Sequence, residues 1–294
     1  MKIKKSVGER AFDAINIILL IVVALIMIYP MWYVFVVSIS SGIHVVRGEV
    51  TFWPLSPTFE VYRTVLQNPD IQSGFRNTIL YTTVGTAINL FMTTLCAYPL
   101  SRKDFYGRKP FTFFFLLTMF VSGGMIPLYL TVLELGLMNT MWAIVLPPAI
   151  STWNMIIMRS FFAGIPESLH ESASIDGAND LQVLGRIVLP LSKPVMATML
   201  LFYAVAHWNS WFSAVIYLNR RSMFPLQVFL RNIVIEGQFG DQAEMLGVAA
   251  DHFRVVSTNY QYAVIIITVI PILLVYPFLQ KHFAKGVMIG SVKG

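Results

Sequence analysis

The chain has 294 residues, of which 56% are hydrophobic, 14% aromatic and 12% charged, with a formal net charge of +6. The charged fraction is about half the ~25% of a typical soluble domain, and the mean hydropathy is +0.67, so the charged shell of a water-soluble globule is missing. The aromatic content excludes intrinsic disorder, and the composition reads as one polytopic membrane domain spanning 1–294 rather than two soluble ones.

Charge is absent from six stretches: Ala14–Val46, Asn77–Ser101, Pro110–Leu133, Leu135–Met158, Pro194–Asn219 and Val255–Gln280. Each exceeds the roughly 20 residues that an α-helix needs to cross a bilayer core. The fold class is therefore all-α, a polytopic membrane protein. Its six transmembrane helices fall near residues 13–40, 76–101, 110–133, 138–160, 194–218 and 258–280.

The first stretch follows Lys2, Lys4, Lys5 and Arg10 and resembles a signal peptide, but its apolar run is too long for a cleaved one. It reads as an uncleaved first span. The second carries a polar stripe, Thr82, Thr86, Asn89 and Thr93, and the single cysteine, Cys96. The third contains Ser122-Gly123-Gly124 and Pro127, which predict a kink. The fourth has Pro147-Pro148, expected to distort the helix, then Ser151, Trp153 and Asn154.

Residues 159–193 follow. Pro166 suits a first helical turn, and Glu167–Ile175 predicts a short helix. Asp176-Gly177 reads as a break, and a second short helix is expected over Asp180–Val188, ended by Pro190 and Pro194. Apolar Leu169, Ala173, Ile175 and Leu184 stand beside Glu167, Glu171, Asp176 and Asp180, a mixed surface suited to docking a soluble partner.

The fifth stretch places Tyr203, His207, Ser210 and Trp211 at i, i+4, i+7 and i+8, one helical face, flanked by Trp208 and Asn209. With Trp153 and Asn154, these aromatic and uncharged polar groups are the candidate path for a hydroxylated solute. Interfacial anchoring of Trp208 and Trp211 is the competing explanation. Within the long segment 219–259, Phe224–Ile235 predicts an amphipathic helix lying at the interface or against a partner. Glu236, Asp241, Glu244 and Asp251 make this segment a candidate dock for a solute-binding protein. The basic tail beyond Lys281 is a candidate contact with an ATPase.

Lys and Arg set orientation. With the N-terminus in the cytoplasm, the short loop holding Arg102, Lys103, Arg108 and Lys109 lies inside, as do Arg159, Arg186, Lys193, Lys281, Lys285 and Lys293. Both termini are then cytoplasmic, and the net charge needs no nucleic acid to explain it.

Glu171-Ser172-Ala173, three residues, Gly177, nine residues, then Ile187-Val188-Leu189-Pro190 resembles the EAA loop of binding-protein-dependent ABC importer permeases. Ser172 stands where the family pattern has Ala; both are small. Phe52-Trp53-Pro54, Phe59-Glu60-Val61-Tyr62, Phe75-Arg76-Asn77-Thr78 and the tail Lys285-Gly286 to Lys293-Gly294 are similar to the carbohydrate-uptake branch, in particular its shorter six-span subunit.

The resemblance implies a type I importer permease in a bacterial-type plasma membrane. It would form half of a translocation pathway for a sugar or oligosaccharide, working by alternating access. It implies a second, non-identical permease, two copies of an ATPase subunit carrying ATP and Mg2+, an extracytoplasmic solute-binding protein, and the lipid bilayer. The EAA loop would be the coupling helix. Glu171, Ser172, Ala173, Asp176, Gly177, Ala178, Ile187, Leu189 and Pro190 would be its coupling residues, with Ala173 permitting close approach and Gly177 making the turn.

The residues agree that a partner supplies the energy. The sequence has no G-x-x-x-x-G-K-[ST] phosphate loop, and its histidines, at 44, 170, 207, 252 and 282, are dispersed. No catalytic residue, cofactor or metal ligand is assigned in this chain, which is not expected to be an enzyme. A peptide or polyamine importer remains the alternative cargo reading. An ion-coupled secondary transporter is less favoured, since the six stretches hold no Asp, Glu, Lys or Arg for ion coupling.

Overall fold

The computed structural model describes residues 6–234, 259–275 and 277, and among these the regular structure is helical with no strand. The chain divides into two compact units: Met1–Asn68 with Asn232–Val269, and Pro69–Arg231 with Ile270–Gly294.

In the first unit, α1 (Val7–Ser38) opens on a capping box: Ser6 Oγ accepts from the Glu9 N–H, and the Glu9 carboxylate accepts from the Ser6 N–H. The helix runs through Pro30 and exposes apolar side chains all round over most of its length, as a lipid-facing span does. Its end is tied down. Val36 and Val37 pack with Val50, Leu55 and Tyr262, beside the short α2 (Gly42–Val46). Ser38 Oγ pairs with Tyr62 Oη of α3 (Glu60–Gln67) at 2.6 Å, and Asn68 donates to Tyr260 Oη at 2.9 Å.

The second unit is built on α4 (Pro69–Ser101). There follow α5 (Arg108–Phe120), α6 (Met125–Glu134), α7 (Trp142–Val145), α8 (Thr152–Phe162), α9 (Glu167–Ile175) and α10 (Asp180–Val183). A π-helical turn, Leu184–Val188, leads into α11 (Leu189–Leu191), α12 (Lys193–Trp208), α13 (Phe212–Tyr217) and α14 (Leu226–Val234). The final helix, α15 (Asn259–Val275), passes from the first unit into the second.

Helices α12 and α8 both pack along α4. One apolar core joins Ala97 and Leu100 of α4 to Met155, Met158 and Phe162 of α8 and to Val195 and Met199 of α12. Another gathers Tyr81 of α4, Val132 of α6, Ala143–Val145 of α7 and Tyr217 of α13. Between them lies the polar stripe read from the sequence, of which Asn89 and Thr93 are buried and paired while the Thr82 and Thr86 hydroxyls have no hydrogen-bond partner. Thr93 Oγ1 bonds Tyr203 Oη at 2.7 Å, and the Asn89 amide accepts from His207 Nε2 at 2.6 Å and donates to the Pro148 carbonyl.

Only Gly8–Ser38 and Pro69–Ser101 are, among the described residues, single helices long and apolar enough to cross a membrane. Breaks interrupt the third, fourth and fifth charge-free stretches. Helices α5 and α6 meet at 114°, where Val121–Gly124 leave helical geometry and Gly124 takes φ +84°. Pro147 and Pro148 sit between α7 and α8, and Ser151 restarts the helix by capping the Asn154 N–H. The fifth stretch is broken at Asn209–Trp211, between α12 and α13, and just ahead of it the segment Asp180–Leu191 meets α12 at 85°.

A Cβ added to Gly85 would lie 2.5 Å from the His207 ring, so α12 approaches α4 only because position 85 has no side chain. Gly85→Ala is expected to cost about 1–3 kcal/mol through overpacking, read as a lowered unfolding midpoint of the detergent-purified protein. Gly123→Ala, whose Cβ would meet only Pro127 at 3.9 Å, should leave the midpoint unchanged. An unshifted Gly85→Ala protein would contradict this packing.

Candidate functional site

Helix α9 has two faces. His170 and Ala173 point inward and are buried, and Ala173 joins the core of Ala97, Met158 and Met199. Glu171, Ser172, Asp176 and Gly177 are exposed, with Ile175 87% and Leu181 71% exposed beside them. The sequence grouped Ala173 with the partner-facing residues. Its small side chain instead lets α9 sit close against its own subunit, since i and i+3 from His170 share the inner face.

The turn that follows has a physical basis in one residue. Gly177 takes φ +80°, where a Cβ is unfavourable. The Ala178 N–H then reaches back to the Ala173 carbonyl at 2.9 Å and the Gly177 N–H to Ser174 at 3.1 Å, closing α9. Asn179 and Gln182 form a reciprocal capping box that starts α10. Asn-x-x-Gln is the sequence signature of this cap. Ala178, Ile187 and Leu189 are half-buried and Pro190 is exposed, while Val183, Leu184 and Val188 are buried in the same core as Ala173. The expected helix over Asp180–Val188 is thus α10 followed by a π turn that carries Leu184 and Val188 inward.

The support beneath α9 comes from residues 64 to 72 positions away in the chain, a separation that leaves no local sequence signal. His170 stacks on Tyr98 of α4, with ring centroids 6.2 Å apart. Neither His170 Nδ1 nor Tyr98 Oη has a hydrogen-bond partner. Burial pushes the His170 imidazole below its ordinary value, and the Arg102 guanidinium adds to that shift. Lys103 donates to Glu167 at 3.0 Å and holds its carboxyl below the usual range. Arg102 does the same for Asp104 through paired bonds of 3.1 and 3.0 Å. Arg159 donates to the Leu100 carbonyl at 3.0 Å. The 102–107 loop and α9 therefore lie at one end of the second unit, tied by charge as well as by packing.

The candidate path residues separate. Tyr203, His207 and Asn154 are buried, the first two bonded to Thr93 and Asn89, so they seal helix contacts within the subunit. Trp153, Asn209 and Trp211 are exposed. The spacing that put Tyr203, His207, Ser210 and Trp211 on one face fails beyond residue 208. There α12 ends, with the Asn209 and Ser210 N–H groups turned back to Val205 and His207 carbonyls. Past this break, Trp211 packs under the Arg231 guanidinium at 4.8 Å, and the Gln227 amide donates to Asn209 at 3.2 Å. The Arg231–Trp211 pair carries no sequence signal, because 20 residues and two helix ends separate its members.

Helix α14 was expected at the interface or against a partner. One face of it packs on its own subunit. Leu226, Val228 and Phe229 are buried, the Leu226 N–H bonds Thr78 Oγ1, and Tyr81 and Asn77 bond the carbonyls of Met223, Ser222 and Phe224. Arg221 joins Asp70 at 2.7 Å. The acidic residues of 236–251, the end of the span at 258–280 and the basic tail lie outside the described residues. No group of His, Cys, Asp and Glu suited to a metal occurs among the described residues.

Residues 3–289 match the family model described as binding-protein-dependent transport system inner membrane component. The polygalacturonan/rhamnogalacturonan transport system permease protein YtcP of Bacillus subtilis (strain 168) is 44% identical over 288 residues, covering 97% of this chain and 99% of the relative. Protein LplC of the same organism is 42% identical over 285 residues, covering 97% and 96%. Among solved structures, a chain of a bacterial ABC transporter involved in the import of the acidic polysaccharide alginate superposes with a TM-score of 0.85. The two are 35% identical, and the match covers 96% of this chain and all of that one. The fold is that of a type I ABC importer permease, a transport subunit rather than an enzyme, and the chain belongs to the family of binding-protein-dependent transport system inner membrane components.

Proposed function

We propose that this subunit forms half of the translocation pathway of an ATP-driven importer for acidic oligosaccharides. Energy enters through the outer face of α9. Glu171, Ser172, Asp176 and Gly177 present a short polar surface flanked by Ile175 and Leu181, which an ATPase subunit can grip without desolvating a buried charge. The nucleotide and Mg2+ belong on that partner. The Lys103–Glu167 bond brings the basic 102–109 loop and the 159–193 segment to one end of the unit, which supports a cytoplasmic position for both. A second permease completes the pathway, and a solute-binding protein delivers the cargo.

The Trp211–Arg231 pair supports the choice of cargo. A tryptophan face takes the C–H side of a sugar ring, a guanidinium takes a carboxylate through charge-assisted bonds, and the Asn209 and Gln227 amides offer hydroxyl partners. This is the chemistry a uronic-acid oligomer presents. Relatives named for polygalacturonan and for alginate handle such acids.

Glu171→Lys and Asp176→Lys, both at exposed positions, are expected to leave the permease inserted and folded. Each should cut cargo-stimulated ATP hydrolysis of the reconstituted importer by at least about tenfold, the scale of a lost interfacial charge contact. Full stimulation in both variants would remove α9 from the coupling role.

Arg231→Gln should weaken stimulation by an oligogalacturonate about tenfold, equivalent to ~1.4 kcal/mol, and leave any response to a neutral oligosaccharide unchanged. An equal loss for both, or stimulation by the neutral sugar alone, would overturn the acidic-cargo reading.

A further inference from the structure

We propose that the cleft at the start of α5 binds the headgroup of an anionic phospholipid, with an acyl chain lying along α5. The cleft is open to the surface, has a volume of about 1030 Å³ and is lined by Lys103, Arg108, Lys109 and Arg159, against a single carboxylate, Asp104. Two of these charges are already neutralised: Lys103 is held by Glu167 at 3.0 Å and Asp104 by Arg102 at 3.0 Å. Arg108, Lys109 and Arg159 form no ion pair among the described residues. Three cations gathered around one opening favour an anion there.

Arg159 spends one of its five donors on the Leu100 carbonyl and is fixed by that bond. Thr112 Oγ1 lines the same cleft, buried and with no hydrogen-bond partner. A helical threonine usually satisfies that hydroxyl on the carbonyl one turn back, so here it is left for a ligand. Gly107, the N-cap, offers no side-chain bond to the first N–H groups of α5.

What selects a lipid over a free anion is the other wall. Pro110, Phe113 and Leu116 line the cleft at i, i+3 and i+6, and Phe113 is 67% exposed. They run about 9 Å along the helix, away from the cations and into a charge-free stretch of 24 residues, Pro110–Leu133. Inorganic phosphate would fill the cationic mouth and leave this wall uncovered. An acidic protein segment would not follow it into hydrocarbon. A phospholipid covers both, with the phosphodiester at Arg108, Lys109 and Arg159. Because Lys103 in the same loop holds Glu167, the bound lipid also stiffens the support of α9. The inference needs only that Pro110–Leu133 is membrane-inserted, and it stands or falls independently of the coupling and cargo readings.

The test is lipid binding to the delipidated, detergent-purified importer, followed by native mass spectrometry with dioleoyl-phosphatidylglycerol and dioleoyl-phosphatidylcholine. The wild type should retain phosphatidylglycerol at one tight site and not phosphatidylcholine. Arg108→Gln with Lys109→Gln should weaken that binding at least tenfold, while Arg47→Gln with Arg63→Gln, an equal charge loss elsewhere, should not. Millimolar inorganic phosphate should fail to displace the lipid. If the double variant does not assemble, Leu116→Asn provides the second reading and should weaken the lipid by disturbing its acyl wall. Equal affinity in the variants, equal binding of phosphatidylcholine, or displacement by inorganic phosphate would each overturn the proposal.

Discussion

Hydrocarbon offers no hydrogen bonds, so a polar group buried in a membrane helix must find its partner inside the protein. Asn89 meets that demand in both directions, accepting from His207 of α12 and donating to the Pro148 carbonyl between α7 and α8. One side chain thereby fixes the register of α12 against α4 and satisfies a carbonyl that the proline break had freed. Thr93 and Tyr203 repeat the contact one turn on. The absent side chain of Gly85 permits the approach. The two apolar cores on α4 take their positions from this seam.

The seam matters to function because the core beyond it reaches under α9. Ala97, Leu100, Met158 and Met199 from three long helices meet Ala173, Val183 and Val188 from the 159–193 segment in one cluster. A force on the outer face of α9 is therefore delivered to α4, α8 and α12 together, since close-packed interiors transmit strain rather than absorb it. The His170–Tyr98 stack and the Lys103–Glu167 bond add two further attachments at the same end. At the far side of the seam, where α12 ends, an exposed Trp211 packs against a half-buried Arg231. The proposed ATPase-facing surface and the candidate cargo contact thus lie at opposite ends of α12.

Much of this was legible in the sequence, and the failures have a common cause. The apolar composition, the helix over Glu167–Ile175, the turn at Gly177 and the breaks at Gly123-Gly124 and Pro147-Pro148 follow from local chemistry, and the structure shows each of them. What local pattern could not show is where a face points. Tyr203 and His207 were read as path-facing because their type suits a sugar, yet tertiary pairing with Thr93 and Asn89 buries them. Trp211 kept its helical spacing in the sequence, but α12 ends three residues earlier. Ala173 is small for its own subunit's core, a fact visible only once α4 and α8 are placed beneath it.

The central claim is that α9 and the α4–α8–α12 core move as one body. Spin labels at Ser172 on the outer face of α9 and at Ser160 on α8, placed in a Cys96→Ser background, report it by pulsed-dipolar distance measurement on the assembled importer. Their separation should be the same in the nucleotide-free and ATP-trapped states, within the spread of the labels. A distance that changes clearly between the two states would show α9 moving on its own and would contradict the account.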